Sequence, residues 1–179
     1  PNTLTLGELG CLMSHVRLWQ QLAQSDEETM TILEDDIFLG HDAAYWLTHA
    51  DWIPSPPAHQ LIKLEKHEAQ VTQSRRSIAV HDRKLRLLRQ THFATGGYRI
   101  GRHAAAEMLA LIKRTPIDQA VDHLEFCDYR LHRPQAVWQL NPAICVQEKS
   151  VPAAALQLGN HLEAERLASA HLKKAKPSR

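Results

Sequence analysis

Cysteine is scarce. Only Cys11, Cys127 and Cys145 occur among 179 residues, odd in number and far apart, which argues against a disulfide framework and for a reducing compartment, the cytosol. No run of about 18 apolar residues is present, so the sequence offers no membrane-spanning helix, and no signal-peptide pattern opens it. An excess of one charge sign is lacking too. The balance of 21 Lys and Arg against 20 Asp and Glu leaves +1 and gives no electrostatic footprint for nucleic acid. A phosphate-binding P-loop, a Gly-x-Ser-x-Gly elbow and a Cys-x-x-Cys pair are all missing. The twelve histidines are scattered, with no zinc-finger spacing to the cysteines.

What is there is an ordinary globular composition, 44% hydrophobic and 23% charged. That is enough for one domain with a single sizeable core. Thr5 followed by Glu8 has the pattern of a capping box. After it Cys11, Leu12, His15, Leu18, Trp19 and Leu22 recur at helical spacing, which predicts a helix over 5–24. Met30 to Leu33 is an apolar run that stops at Glu34-Asp35-Asp36, the pattern of a buried strand carrying acids at its C-terminal end.

Further along, a short helix is expected over 42–50 and a strand over 60–65. A hairpin is expected from Ser77–Val80 with Lys84–Leu88, and a strand over 98–101 after the Gly96-Gly97 turn. The Ala-rich 103–113 stretch predicts a helix. Thr115-Pro116 predicts the opening of another that runs to about His132. A last strand is expected over 136–140. Beyond Gly159-Asn160, residues 161–175 read as a basic helix, so the chain divides into 1–150 and a tail, 151–179. Alternating strands and helices favour an α/β sandwich around a mostly parallel sheet.

Three adjacent carboxylates repel one another unless a cation or hydrogen bonds compensate them. Hard oxygen donors of this kind suit Mg²⁺ or Mn²⁺ beside a diphosphate. A solvated acidic loop is the plainer alternative. On the later helix Asp118 is accounted for as a first-turn acid. Asp122, four residues on, falls after that turn and is either a ligand-facing carboxylate or a solvated one. His15 on the apolar stripe reads first as a core histidine. Lys63 and Glu65, alternating about Leu64, read as a half-exposed strand edge. Gly97 beside Tyr98 allows either a close backbone approach or a plain turn.

These segments together resemble glycosyltransferase family 25. Leu6-Gly7-Glu8-Leu9-Gly10-Cys11-Leu12-Met13-Ser14-His15 with Trp19 is similar to the family's opening segment, and Leu33-Glu34-Asp35-Asp36 to its Glu-Asp-Asp signature. Ile62-Lys63-Leu64-Glu65, Ala94-Thr95-Gly96-Gly97-Tyr98-Arg99-Ile100, Ala120-Val121-Asp122 and Asn141-Pro142-Ala143-Ile144-Cys145-Val146-Gln147 follow in the family's order. The resemblance covers roughly residues 4–148. It departs at 66–91, and at the start, where a further stretch with a first strand near the nucleotide base is expected; an opening on Pro1 fits a fragment of a longer protein.

The resemblance implies a GT-A-like fold. It implies inverting transfer of a hexose, galactose from UDP-galactose, to a lipooligosaccharide or lipopolysaccharide saccharide acceptor, with Mn²⁺ or Mg²⁺ as cofactor. It implies Glu34 and Asp36 at the metal, Asp35 beside the ribose or a metal-bound water, and Asp122 as base, which favours Asp122 over Asp118. Glu65, Gly97, Tyr98 and Gln147 would shape the sugar pocket, with His15 behind them. The expected location is the cytoplasmic face of the inner membrane, where Lys173, Lys174, Lys176 and Arg179 could touch anionic lipid. Two other readings stay open: a non-catalytic sugar-binding or scaffold module of envelope assembly, and a metal-dependent phosphotransferase or hydrolase.

Overall fold

A computed structural model describes residues 4–114 and 118–151; the tail helix expected over 161–175 and the Thr115-Pro116 helix start lie outside them. The first helix, α1 (Leu6–Ala23), begins where the capping box places it. The Thr5 hydroxyl accepts from the Glu8 amide at 3.1 Å, and Glu8 accepts from the Thr5 amide at 2.9 Å. It buries Leu12, His15, Trp19 and Leu22, the stripe that its spacing predicts. Strand β1 (Thr29–Leu33) follows, then β2 (Ile37–Leu39) and α2 (Ala43–Thr48).

The expected strand over 60–65 is divided. β3 (Leu61–Lys63) and β4 (Glu65–Lys66) belong to two different sheets. At the division, Leu64 donates its N–H to Gly97 and accepts from the Ile144 amide. The hairpin is present as β5 (Ile78–Val80) and β6 (Arg83–Leu87). β7 (Gly97–Gly101) leads directly into α3 (Arg102–Ile112). α4 (Val121–His123) continues into a π-helical segment (Leu124–Tyr129) and then α5 (Arg130–His132), before β8 (Val137–Asn141) and β9 (Cys145–Gln147) close the described chain.

The larger sheet has the order β1-β7-β3-β8-β6-β5, and the smaller has β2-β9-β4. The fold is α/β, but the mostly parallel sheet expected from the sequence is not what forms. Only β3 with β8 is parallel in the larger sheet; β1–β7, β7–β3, β8–β6 and β6–β5 are antiparallel. The reason is that β7 is reached through a loop rather than a crossover helix, so it runs back between β1 and β3. The hairpin likewise reverses the chain beside β8.

Side-chain alternation splits the core in two. Leu61, Tyr98, Ile100 and Val137 face α1, α3 and the π-helical segment, together with Trp19, Met108 and Phe126. Ile62, Leu85 and Leu140 face Trp46, Trp52 and Ile144 on the opposite side. With both faces covered, all five residues of β7 are buried.

Gly101 ends β7 against the short 3₁₀ turn Pro57–His59, where a Cβ would overlap the carbonyls of Pro57 and Ala58. Those atoms are backbone, and the turn is held by the Gln60 N–H to Pro57 carbonyl bond at 3.1 Å and the Gly101 N–H to Gln60 carbonyl bond at 2.8 Å. Gly101→Ala is therefore expected to destabilise the fold by about 1–3 kcal/mol or more, measured by urea denaturation. An unchanged midpoint would mean that the turn yields freely.

Candidate active site

The carboxyl end of β1, the N-terminal half of α1, the 93–95 loop and the start of α4 surround one cleft of about 760 Å³. Glu34, Asp35 and Asp36 reach it from the end of β1, Asp122 from α4 and Gln147 from β9. Cys11 and His15 come from α1, and His67 and Lys149 also line it. Asp35 is exposed, whereas Glu34 and Asp36 are half-buried.

Glu34 is the most heavily engaged of these. Its Oε1 accepts from the Thr95 hydroxyl at 2.6 Å and the Cys11 thiol at 3.7 Å, and lies 3.4 Å from His15 Nε2. Burial works against its charge, but the bonds from His15 and Thr95 outweigh it and hold the carboxyl below its usual range. Asp36 goes the other way: burial and the nearby Glu34 charge raise it. Gln147 Nε2 sits between the two, donating to Glu34 at 3.2 Å and to Asp36 at 3.4 Å, while its own Oε1 is buried without a hydrogen-bond partner.

Asp122 also lines the cleft, and the boundary of its helix corrects the sequence reading. The helix begins at Val121, so Asp122 is the first-turn acid and Asp118 precedes the helix. Asp122 does not cap that helix with its side chain. Its Oδ2 accepts from the Ala94 amide at 3.1 Å, across to the loop.

Glu65, Gly97 and Tyr98 lie behind the cleft rather than on its surface. Lys63 and Glu65, expected at a half-exposed edge, are 0% and 1% exposed. Lys63 Nζ donates to the Phe93 carbonyl at 2.8 Å, to the Ala94 carbonyl, and to Glu65 at 3.4 Å; Glu65 accepts from the Gly96 amide at 2.9 Å. Burial pushes the Lys63 ammonium down and the Glu65 carboxyl up. With Thr95 on Glu34 and Ala94 on Asp122, these bonds fix the whole 93–96 loop, in which Ala94 adopts a φ of 68°. At Gly97 a Cβ would stand 2.5 Å from Cys145 Sγ, so this position needs the close approach of β7 to β9.

His15 is both a core residue and a cleft residue, 3% exposed. The Trp19 indole donates to the Tyr98 hydroxyl at 2.9 Å, and the same hydroxyl oxygen lies 2.6 Å from His15 Nδ1.

Glu125, which helical spacing puts near the face of Asp118 and Asp122, lies beneath. It is 0% exposed, 3.7 Å from His15 Nδ1, with neither oxygen in hydrogen-bond geometry. Burial raises this carboxyl well above its ordinary range. The folded protein thus keeps a proton that the unfolded chain releases, and the associated stability is lost as pH rises through the raised value. Glu125→Gln cannot ionise. Its unfolding free energy should decline less steeply than that of the unaltered protein as pH rises above the ordinary carboxylate range; parallel profiles in urea titrations would count against a neutral Glu125.

Residues 1–124 match the model of glycosyltransferase family 25, described as LPS biosynthesis protein. The chain is 33% identical, over 97% of its length, to the lipooligosaccharide biosynthesis protein lex-1 of Haemophilus influenzae, of which it covers 60%. It is 34% identical over 81% of its length to a putative glycosyltransferase of the same organism, covering 50% of it. With the lacto-N-neotetraose biosynthesis glycosyltransferase LgtB of Neisseria meningitidis serogroup B it shares 33% identity over 79% of its length and 54% of that protein. It therefore spans about half to three fifths of the length of these curated relatives. The acidic end of β1, the α1 segment that backs it and the strand that carries Gly97 and Tyr98 all fall within the matched residues, and the chain belongs to glycosyltransferase family 25.

Proposed function

We propose that this chain carries the transfer site of a hexosyltransferase that moves galactose from UDP-galactose to a saccharide of lipooligosaccharide or lipopolysaccharide, with inversion and with a divalent cation. The observation that carries this reading is that Glu34, Asp35, Asp36 and Asp122 all line one cleft. A GT-A-like reading of the α/β fold is part of this proposal, with the acids at the carboxyl end of β1.

The donor set fits a hard cation. Glu34 and Asp36 converge on the Gln147 amide, and turning that amide by half a rotation replaces Nε2 with the unpartnered Oε1, giving three oxygen donors. The neighbouring Cys11, His15 and Glu34 group fits a hard cation less well, since a sulfur and an imidazole nitrogen stand where oxygens are wanted. When bound, Mn²⁺ or Mg²⁺ would offset the charge that develops on the leaving diphosphate.

The rest falls to the chain's own groups. Asp122 takes the proton from the acceptor hydroxyl, whose oxygen bonds to the anomeric carbon. The bond from that carbon to the diphosphate oxygen breaks, and its electron pair leaves with the UDP. Attack from the face opposite the leaving group inverts the centre. Asp35 is exposed, and in this reading it would meet the ribose or a metal-bound water. Among the described residues no helix is long and apolar enough to cross a membrane, and work at the cytoplasmic membrane face is part of this proposal.

Calorimetric titration with UDP and UDP-galactose, with and without Mn²⁺, tests it. Binding should require Mn²⁺ and weaken at least tenfold in Asp36→Ala. Binding that ignores both the cation and the substitution would remove the acidic cluster from the donor site. Release of phosphate from simple esters would favour the hydrolase reading.

A further inference from the structure

A second group of donor atoms lies on the helix that carries Asp122 but outside the cleft. A ring nitrogen of His123, the Cys127 sulfur and a carboxylate oxygen of Asp128 lie within 4.8 Å of one another, and none of the three residues lines the cleft. His123 Nδ1 is 3.6 Å from Asp128 Oδ2, too far for a hydrogen bond, and is itself buried without a hydrogen-bond partner.

The π-helical segment Leu124–Tyr129 makes this arrangement possible. On an α-helix, Cys127 at i+4 lies over His123, but Asp128 at i+5 is turned away. A turn closed by i→i+5 bonds is wider and brings position i+5 back over position i. On the inner side Leu124, Glu125, Phe126 and Tyr129 are packed into the core, so His123, Cys127 and Asp128 share the half-exposed side.

Imidazole nitrogen, sulfur and carboxylate oxygen together suit zinc rather than the hard cations of the cleft, and three protein ligands leave a fourth position for water. Tetrahedral bonds of about 2.0–2.3 Å require donors roughly 3.3–3.8 Å apart. Half-exposed side chains reach that spacing by small rotations. We propose that His123, Cys127 and Asp128 form a zinc-class cation site that staples the start of this helix, next to Asp122. On binding, the Cys127 thiol proton passes to solvent and the sulfur becomes a ligand. The site does not depend on the transferase reading and would exist without it.

Cobalt(II) is the probe, because a thiolate ligand gives it a charge-transfer absorption that carboxylates do not. In a Cys11→Ser background, which removes the thiol of the cleft, one equivalent of cobalt should produce that absorption. Adding Cys127→Ser should abolish it, and adding His123→Gln should weaken binding at least tenfold. Separately, zinc should raise the melting temperature of the unaltered protein and fail to raise that of Cys127→Ser. Absence of the absorption in Cys11→Ser, its survival in Cys127→Ser, or a zinc shift indifferent to Cys127 each overturns the site.

Discussion

Replacing Lys63 by Met is expected to lower the unfolding free energy by about 3–5 kcal/mol, the cost of leaving a buried charge partner alone. Lys63 is 0% exposed, with its ammonium over the Phe126 ring, 4.6 Å from the centroid. It is tied to three acceptors: Glu65 and the carbonyls of Phe93 and Ala94. Methionine fills the volume but satisfies none of them. Glu65 then keeps only the Gly96 amide among its hydrogen bonds, in a place where burial already disfavours its charge.

At this chain length each kcal/mol moves the melting temperature by roughly 2–4 °C, so the loss is easily seen by calorimetry. A second readout separates this ion pair from a mere packing defect. Amides of the 93–96 loop should exchange faster in Lys63→Met, because the carbonyls that fixed the loop are released. The double variant Lys63→Met with Glu65→Leu should recover part of the stability but not the loop protection. Lys63→Met with an unshifted transition would show that the buried ammonium contributes nothing net.

Local pattern was legible where a local interaction decides the outcome. Thr5 and Glu8 bond each other within one turn, so α1 starts where the sequence says. The apolar run that stops at Glu34 forms β1 with its acids at the cleft, although as an edge strand that buries only Ile32 rather than the buried strand expected, and Ser77–Leu88 closes on itself as a hairpin. The direction of the sheet was not legible. It depends on β7 slotting between β1 and β3, partners distant in sequence. The three-residue strands β2 and β9 are too short to leave a period, and they form only by pairing with partners distant in sequence, β2 with β9 and β9 also with β4.

Lys63 and Glu65 misled for a different reason: charged residues alternating about a leucine look like an exposed edge until a loop folds over them. The burial of Glu125 was not legible, because the π-helical turn that carries it leaves no sequence mark here. Of the candidate site, Glu34, Asp35, Asp36, Asp122, Gln147 and His15, named from the acids and the family resemblance, line the cleft. Glu65, Gly97 and Tyr98 lie behind it, and His67, Phe93 and Lys149 left no mark in the sequence. The loop that organises the cleft was visible only as Ala94-Thr95-Gly96-Gly97, read as a turn.

Asp122→Asn is expected to reduce kcat for galactose transfer by about 10²–10⁴-fold, equivalent to roughly 2.7–5.4 kcal/mol of transition-state stabilisation, with little change in donor binding. The substitution isolates the proton-accepting role from the structural one. Asn keeps a side-chain oxygen that can accept from the Ala94 amide, the bond that Asp122 makes at 3.1 Å. The loop is thereby retained. The loss of a first-turn negative charge at the helix start costs only about 0.3–1 kcal/mol. Asp122→Ala removes both functions and should add faster loop exchange to the same kinetic defect. If Asp122 acts as the base, Asn and Ala have similarly low kcat but differ in loop protection. If Asp122 serves only to hold the loop, Asn retains kcat within a few fold and Ala loses it. The second pattern, read from initial rates with UDP-galactose and a lipooligosaccharide acceptor, would leave Asp122 as a positioning residue and require another base in the cleft.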